Sequence, residues 1–126
     1  MYVKHLKNCL QIRAGDNSLL REIINPNKKE INTHYSLAWA KIAPHKKTLH
    51  HTLTFSEVYY ILRGTGIMHI NNEEKTVREN DTIYVPANAI QYIENIGKTD
   101  LKFLCIVDPA WQPAIEHVFR DDTNEE

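Results

Sequence analysis

Two adjacent histidines, His50 and His51, stand a few residues ahead of a glutamate, Glu57. Imidazole nitrogen and carboxylate oxygen are the common protein ligands of zinc, iron, nickel and manganese, so a divalent metal would first be sought in this stretch. Glu57 has a second use. A carboxyl group enclosed by apolar side chains has its pKa raised by desolvation unless a metal is bound, and it then serves as a general acid or base. The residues after it, Val-Tyr-Tyr-Ile-Leu, are apolar and aromatic and read as a strand. Strand side chains alternate, so Tyr59 and Ile61 share the face of Glu57. Glu57 and Tyr59 are the candidate catalytic residues. Tyr84 offers a second phenol; for both tyrosines the alternative is packing, with the hydroxyl at the sheet edge.

These residues need a frame, and the chain around them is punctuated into short strands. Residues 35–43 read as a strand with Tyr35, Leu37 and Trp39 on one face, closed by Pro44. Residues 58–62 and 67–71 read as a hairpin about Arg63-Gly64-Thr65-Gly66, where glycine supplies the backbone freedom of a tight turn. Short strands follow at 75–78, 82–85, 89–94 and 101–107, separated by turn residues. Ile115, Val118 and Phe119 fall at helical spacing and predict a short C-terminal helix, ahead of an acidic tail. Residues 1–30 are harder to place: Leu19-Leu20 and Ile23-Ile24 suit either a helical turn or a short strand. The expected organisation is an N-terminal arm over 1–34, a β-barrel over 35–110, and a helix with its tail over 111–126. Many short strands with helix only at the end make the chain all-β, a sandwich or barrel.

Of the remaining histidines, His69 depends on the turn at residue 64. A two-residue loop puts it on the outer face, a three-residue loop turns it inward, and the two-residue loop is the commoner connection. His5 and His45 read as exposed, His117 as a surface residue of the C-terminal helix, and His34 as a residue able to edge a pocket mouth.

The totals narrow the classes. The chain has 126 residues, enough for one domain with one core. A net charge of -1 and a sequence pI near 6.6, with no basic cluster beyond Lys46-Lys47, exclude the footprint of a nucleic-acid binder. No apolar run approaches the roughly 20 residues of a membrane span, and residues 1–9 lack the apolar core of a signal peptide. A cytoplasmic protein without a membrane partner is expected. Cys9 and Cys105 are in no metal or redox spacing, and Cys105 reads as a buried thiol rather than half of a disulfide.

Between residues 35 and 107 the sequence resembles the cupin superfamily, whose first motif runs H-x-H, three or four residues, E, six residues, G. Glu57 and Gly64 fit its second half in type and spacing. Asp81, Pro86 and Asn95 match places of the second motif, G-D then P-x-G-x-x-H-x-x-x-N. The resemblance implies a jelly-roll barrel with one metal in its lumen. The departures are as specific as the matches. One spacer length makes the paired ligands His50 and Thr52, the other His51 and Leu53, so one histidine survives in either register. Gln91 stands where the second motif has histidine, and Asn88 where it has glycine.

The implied metal set is therefore His50 or His51 (both, if a bulge turns both rings inward), with Glu57 and Gln91, for Zn, Fe, Ni or Mn. The resemblance implies a small-molecule site in the lumen and a metal-assisted reaction of dioxygenase, isomerase or decarboxylase type. The alternative, favoured by the missing histidines, is a binding or structural cupin without the metal. Homodimerisation suits either, since the apolar pairs of the N-terminal arm need a surface to be buried against.

Overall fold

The structure, a computed structural model, describes residues 1–120. The acidic tail expected at residues 121–126 lies outside them. Eleven antiparallel strands make two facing sheets: β1 (Gln11–Arg13), β2 (Leu19–Ile24), β3 (Ser36–Ile42), β4 (His51–Leu53), β5 (Ser56–Arg63), β6 (Thr65–Ile70), β7 (Glu73–Arg78), β8 (Thr82–Val85), β9 (Gln91–Asn95), β10 (Leu101–Asp108) and β11 (Glu116–Val118). The first sheet has the order β1-β2-β3-β10-β5-β8 and the second β11-β4-β9-β6-β7. Alternation along the strands sends one set of side chains into the space between the sheets. Ile61, Ile93, Leu101 and Phe103 are at most 2% exposed there. Burial of each such side chain is worth about 1.5–3 kcal/mol.

Two expectations are corrected. Residues 56–63 and 65–70 are adjacent strands, but they do not form a hairpin. β5 pairs with β10 and β8, while β6 pairs with β7 and β9, so the chain crosses between sheets at Gly64. Gly64 has φ +98°, where a side chain would be strained, and the chain can turn sharply enough there to change layers.

Among the described residues the C-terminal helix is not seen. Pro113–Ile115 make a single 3-10 turn, and Glu116–Val118 then run as β11 beside β4. Pairing supplies β4 with backbone partners on the side that β9 does not cover, and Ile115 is buried beside Leu53 and Val107. His117 is accordingly an exposed residue of a strand.

β3 turns the face of Leu37 and Trp39 away from the lumen. Its lumenal face carries Ser36, Ala38 and Ala40. Trp39 lies on the opposite face, with the Arg21 guanidinium 5.9 Å from its ring centroid. Small residues on the inner face leave space between the sheets.

Residues 19–24 prove to be a strand. With β1 they extend the first sheet past β3, and the loop between β1 and β2 bends over the mouth of the lumen. In that loop Asp16 Oδ1 accepts from both the amide and the hydroxyl of Ser18, and the Leu49 amide donates to the Asp16 carbonyl.

Candidate functional site in the lumen

A cavity of about 250 Å³ lies between the sheets. Its wall is mostly apolar, and the polar side chains that line it include Asp16, His51, Glu57, Cys105 and Glu116. Each comes from a different element. Pairing of β4 with β9 puts His51 opposite Gln91, both facing inward and both buried. Pairing of β5 with β10 puts Cys105 opposite Tyr59 and Val107 opposite Glu57.

His50 and His51 part company here. His51 is 3% exposed and lines the cavity, while the neighbouring His50 ring packs at 4.0 Å on Tyr92. On the far side of Tyr92 stacks His69, also at 4.0 Å and nearly parallel. His69 lies 3.5 Å from both Glu74 and Glu94, outside the lumen. His34 pairs with Asp108 at the surface, and Tyr84 is 63% exposed on the outer face of β8.

His51 Nδ1 lies 2.8 Å from the Leu49 carbonyl. A carbonyl only accepts, so Nδ1 carries the proton and Nε2 is turned toward the cavity, 3.8 Å from Asp16 Oδ2. Tyr59 donates its hydroxyl to Gln91 Oε1 at 2.5 Å. Glu57 is 7% exposed, and its Oε1 has no hydrogen-bond partner. Burial pushes its carboxyl group up to about 7, against the opposing pull of His51 and of a hydrogen bond from Gln91. Burial likewise raises Glu116, which His51 pulls the other way and whose Oε1 accepts from Trp111 Nε1 at 3.2 Å. The Cys105 thiol is pushed well up by burial and by Glu57 beside it, so it sits in the wall as a neutral group rather than a nucleophile.

The fold agrees with the family comparison. The cupin domain family matches residues 38–107, more than half of the chain. The chain belongs to the cupin family. It is 42% identical over 97 residues to the uncharacterised protein MJ1618 of Methanocaldococcus jannaschii, covering 76% of this chain and 77% of that protein. It is 37% identical over 51 residues to an oxalate-binding protein of Thermotoga maritima, covering 40% and 42% of the two chains. Among solved structures, a predicted oxalate decarboxylase of Thermotoga maritima superposes with a TM-score of 0.74 at 22% identity, over 86% of this chain and 99% of that one. At that identity the likeness speaks to the fold.

Cupins commonly hold a metal in the lumen, and the side chains here can be tested against that use. His51 is oriented as a ligand would be, with Nδ1 fixed by a carbonyl and Nε2 turned inward. The rest of the set does not follow. Leu53, two residues on, is a buried hydrophobe, and Gln91 is engaged with Tyr59 and offers at most an amide oxygen. Among the described residues no group of three or more His, Cys, Asp or Glu side chains is disposed to hold a metal ion. Of the implied ligands, the lumen brings His51, Glu57 and Gln91 together and leaves His50 outside. The donor set does not fit a divalent metal.

Asp16 and Glu116 were not legible as site residues. Asp16 stands in a Gly-Asp-Asn turn 35 positions before His51, and no periodicity links the two. Glu116 reaches the cavity because β11 is a strand, where helical spacing pointed elsewhere. Cys105 could have been found by parity, since residues 103, 105 and 107 share the inner face.

Proposed function

We propose that this cupin binds a small organic molecule in its lumen without a metal, with Glu57 as the polar anchor of the site. One observation carries the reading: a carboxyl oxygen is buried without a partner in the wall of a cavity of about 250 Å³. Leaving a buried acceptor unsatisfied costs about 1–3 kcal/mol, more for a charged group, and a ligand N–H or O–H donor would offset that cost. The apolar wall with a few convergent polar groups is the usual make-up of a small-molecule site. The metal-assisted dioxygenase or decarboxylase reading needs imidazoles at 53 and 91, where this chain has leucine and glutamine.

A second reading has its own support. A carboxyl group near neutrality beside an imidazole can exchange a proton with a bound molecule, as an isomerase requires, and Glu57 and His51 are such a pair. Tyr59, through Gln91, fixes the wall beside them. The proposal also includes a homodimer, formed through the apolar outer face of the six-stranded sheet.

Metal analysis of untagged protein by mass spectrometry, beside His51→Ala, tests the metal-independent reading. Zinc, iron, nickel and manganese well below stoichiometric, and unchanged by the substitution, are expected. Stoichiometric metal that disappears in His51→Ala would overturn it.

A further inference from the structure

The charge of the lumen restricts what can enter it. The carboxyl groups of Asp16, Glu57 and Glu116 face the cavity, as does one imidazole, His51. Two further charged groups in the wall are already engaged. Glu22 is bound by Lys28 at 2.8 Å and by Asn25 at 2.6 Å, and Arg13 donates to the Asn17 carbonyl at 2.9 Å. Arg120 lies near Glu116 and favours its charged form. Carboxyl groups outnumber cationic groups in the wall, and Glu57, the most buried of those carboxyl groups, has no partner at Oε1.

Resting on the reading of a lumenal small-molecule site, we propose that the ligand is a small organic cation. Its ammonium or amidinium group, on an apolar body, gives its N–H donors to Glu57, with Asp16 and Glu116 toward the mouth. A dianion such as oxalate would meet three carboxyl groups against one imidazole and the exposed Arg13 guanidinium. It would also leave Glu57 Oε1 without a donor. An uncharged alcohol could satisfy Oε1 but would gain nothing from the field of the other acids. A charge-assisted hydrogen bond in a water-poor cavity is the strongest contact available to this wall.

The proposal has a proton balance. In the empty lumen burial favours the protonated form of Glu57, and a cation favours the charged form. Binding of an ammonium ion to the protonated carboxyl group therefore gives a carboxylate–ammonium pair and releases one proton to solvent. The groups facing Glu57 are His51 from β4, Asp16 from the β1–β2 loop, Tyr59 on β5, Gln91 on β9 and Cys105 on β10, with Glu116 on β11 farther out. Of these, His51, Gln91 and Cys105 oppose the protonation of Glu57 and Asp16 supports it. Proton release should be larger at pH 6 than at pH 8.

The test uses butylamine, cyclohexylamine and benzylamine, each matched with the alcohol and the carboxylate on the same carbon skeleton, and oxalate. Binding to the full chain is read from amide shifts of residues 51–53 and 91–95, and proton uptake or release from calorimetry in two buffers. At least one ammonium probe should bind more tightly than its alcohol, release a proton at pH 6, and weaken about tenfold or more in Glu57→Gln. The alcohols should bind Glu57→Gln as they bind the wild type. Asp16→Asn, a change in a loop, should weaken the ammonium probes less and serves if Glu57→Gln does not fold. If alcohols or carboxylates bind in the lumen and ammonium probes do not, the charge preference falls and the small-molecule site stands. If no probe binds at millimolar concentration, both fall.

Discussion

At the scale of single residues, the site is governed by what burial does to one carboxyl group. The folded pKa of Glu57 is raised from 4.5 to about 7, so its neutral form is the one the fold accommodates. For a raised carboxyl group the favourable contribution is complete below the unfolded pKa and is lost as pH rises through the folded value. Between about pH 4.5 and 7 the chain should therefore lose on the order of 3 kcal/mol of stability through this group. Glu57→Gln keeps the shape and removes the charge. Thermal unfolding of the variant should show a flatter dependence on pH in that window and a higher Tm than wild type at pH 8. A wild-type profile that rises across the window would refute the assignment. Tyr59→Phe acts on the neighbouring contact. It removes the hydroxyl that satisfies Gln91 Oε1 and should cost about 1–3 kcal/mol in denaturant unfolding, without loss of the fold. An unchanged midpoint would mean that water replaces the phenol.

At the scale of elements, two glycines let β5 and β6 belong to different sheets. A Cβ at Gly66 would lie 2.6 Å from the Glu94 carbonyl oxygen and 2.9 Å from a Leu101 methyl. The first neighbour is backbone of the paired strand β9 and cannot turn aside. Gly66→Ala should destabilise by about 1–3 kcal/mol, read as a lower urea midpoint at unchanged slope. A neutral result would show that β6 and β9 stand farther apart. The sequence made these strands legible because β-branched and aromatic runs alternate with turn residues such as Asn71, Asn80 and Asn88, all at positive φ. What it did not carry was strand partnership. A glycine-flanked turn looks the same whether it joins partners in one sheet or passes between two, and only packing decides. Similarly, Ile115, Val118 and Phe119 satisfy a helical period by coincidence, and the open side of β4 draws residues 116–118 into a strand. His51 rather than His50 faces the lumen because β4 pairs with β9 at Gln91, a long-range contact that local spacing could not fix.

For the whole molecule, the outer face of the six-stranded sheet is the feature the lumen does not explain. Tyr60, Leu62 and Ile106 are 37–40% exposed there and Tyr84 is 63% exposed, on neighbouring strands in register. Monomeric proteins seldom expose contiguous apolar patches above a few hundred Å². A flat face of this kind suits a second copy related by a two-fold axis, since the same patch then covers itself. Light scattering should report a dimer for the wild type and a monomer for a Tyr84→Lys, Ile106→Lys double variant of unchanged fold. A wild-type monomer at micromolar concentration would remove the proposal. Among the described residues no helix is long and apolar enough to cross a membrane, and Cys9 and Cys105 are both free.

The central claim is that the lumen holds a buried carboxyl group, without a metal, as the anchor of a small-molecule site. Titration of the Glu57 side-chain carboxyl carbon by NMR, on protein freed of metal by chelator, addresses it most directly. A midpoint near 7 that falls when an ammonium probe is bound is the expected result. A midpoint near the ordinary carboxylate value of about 4.3 would contradict the account, because Glu57 would then be solvated or already paired.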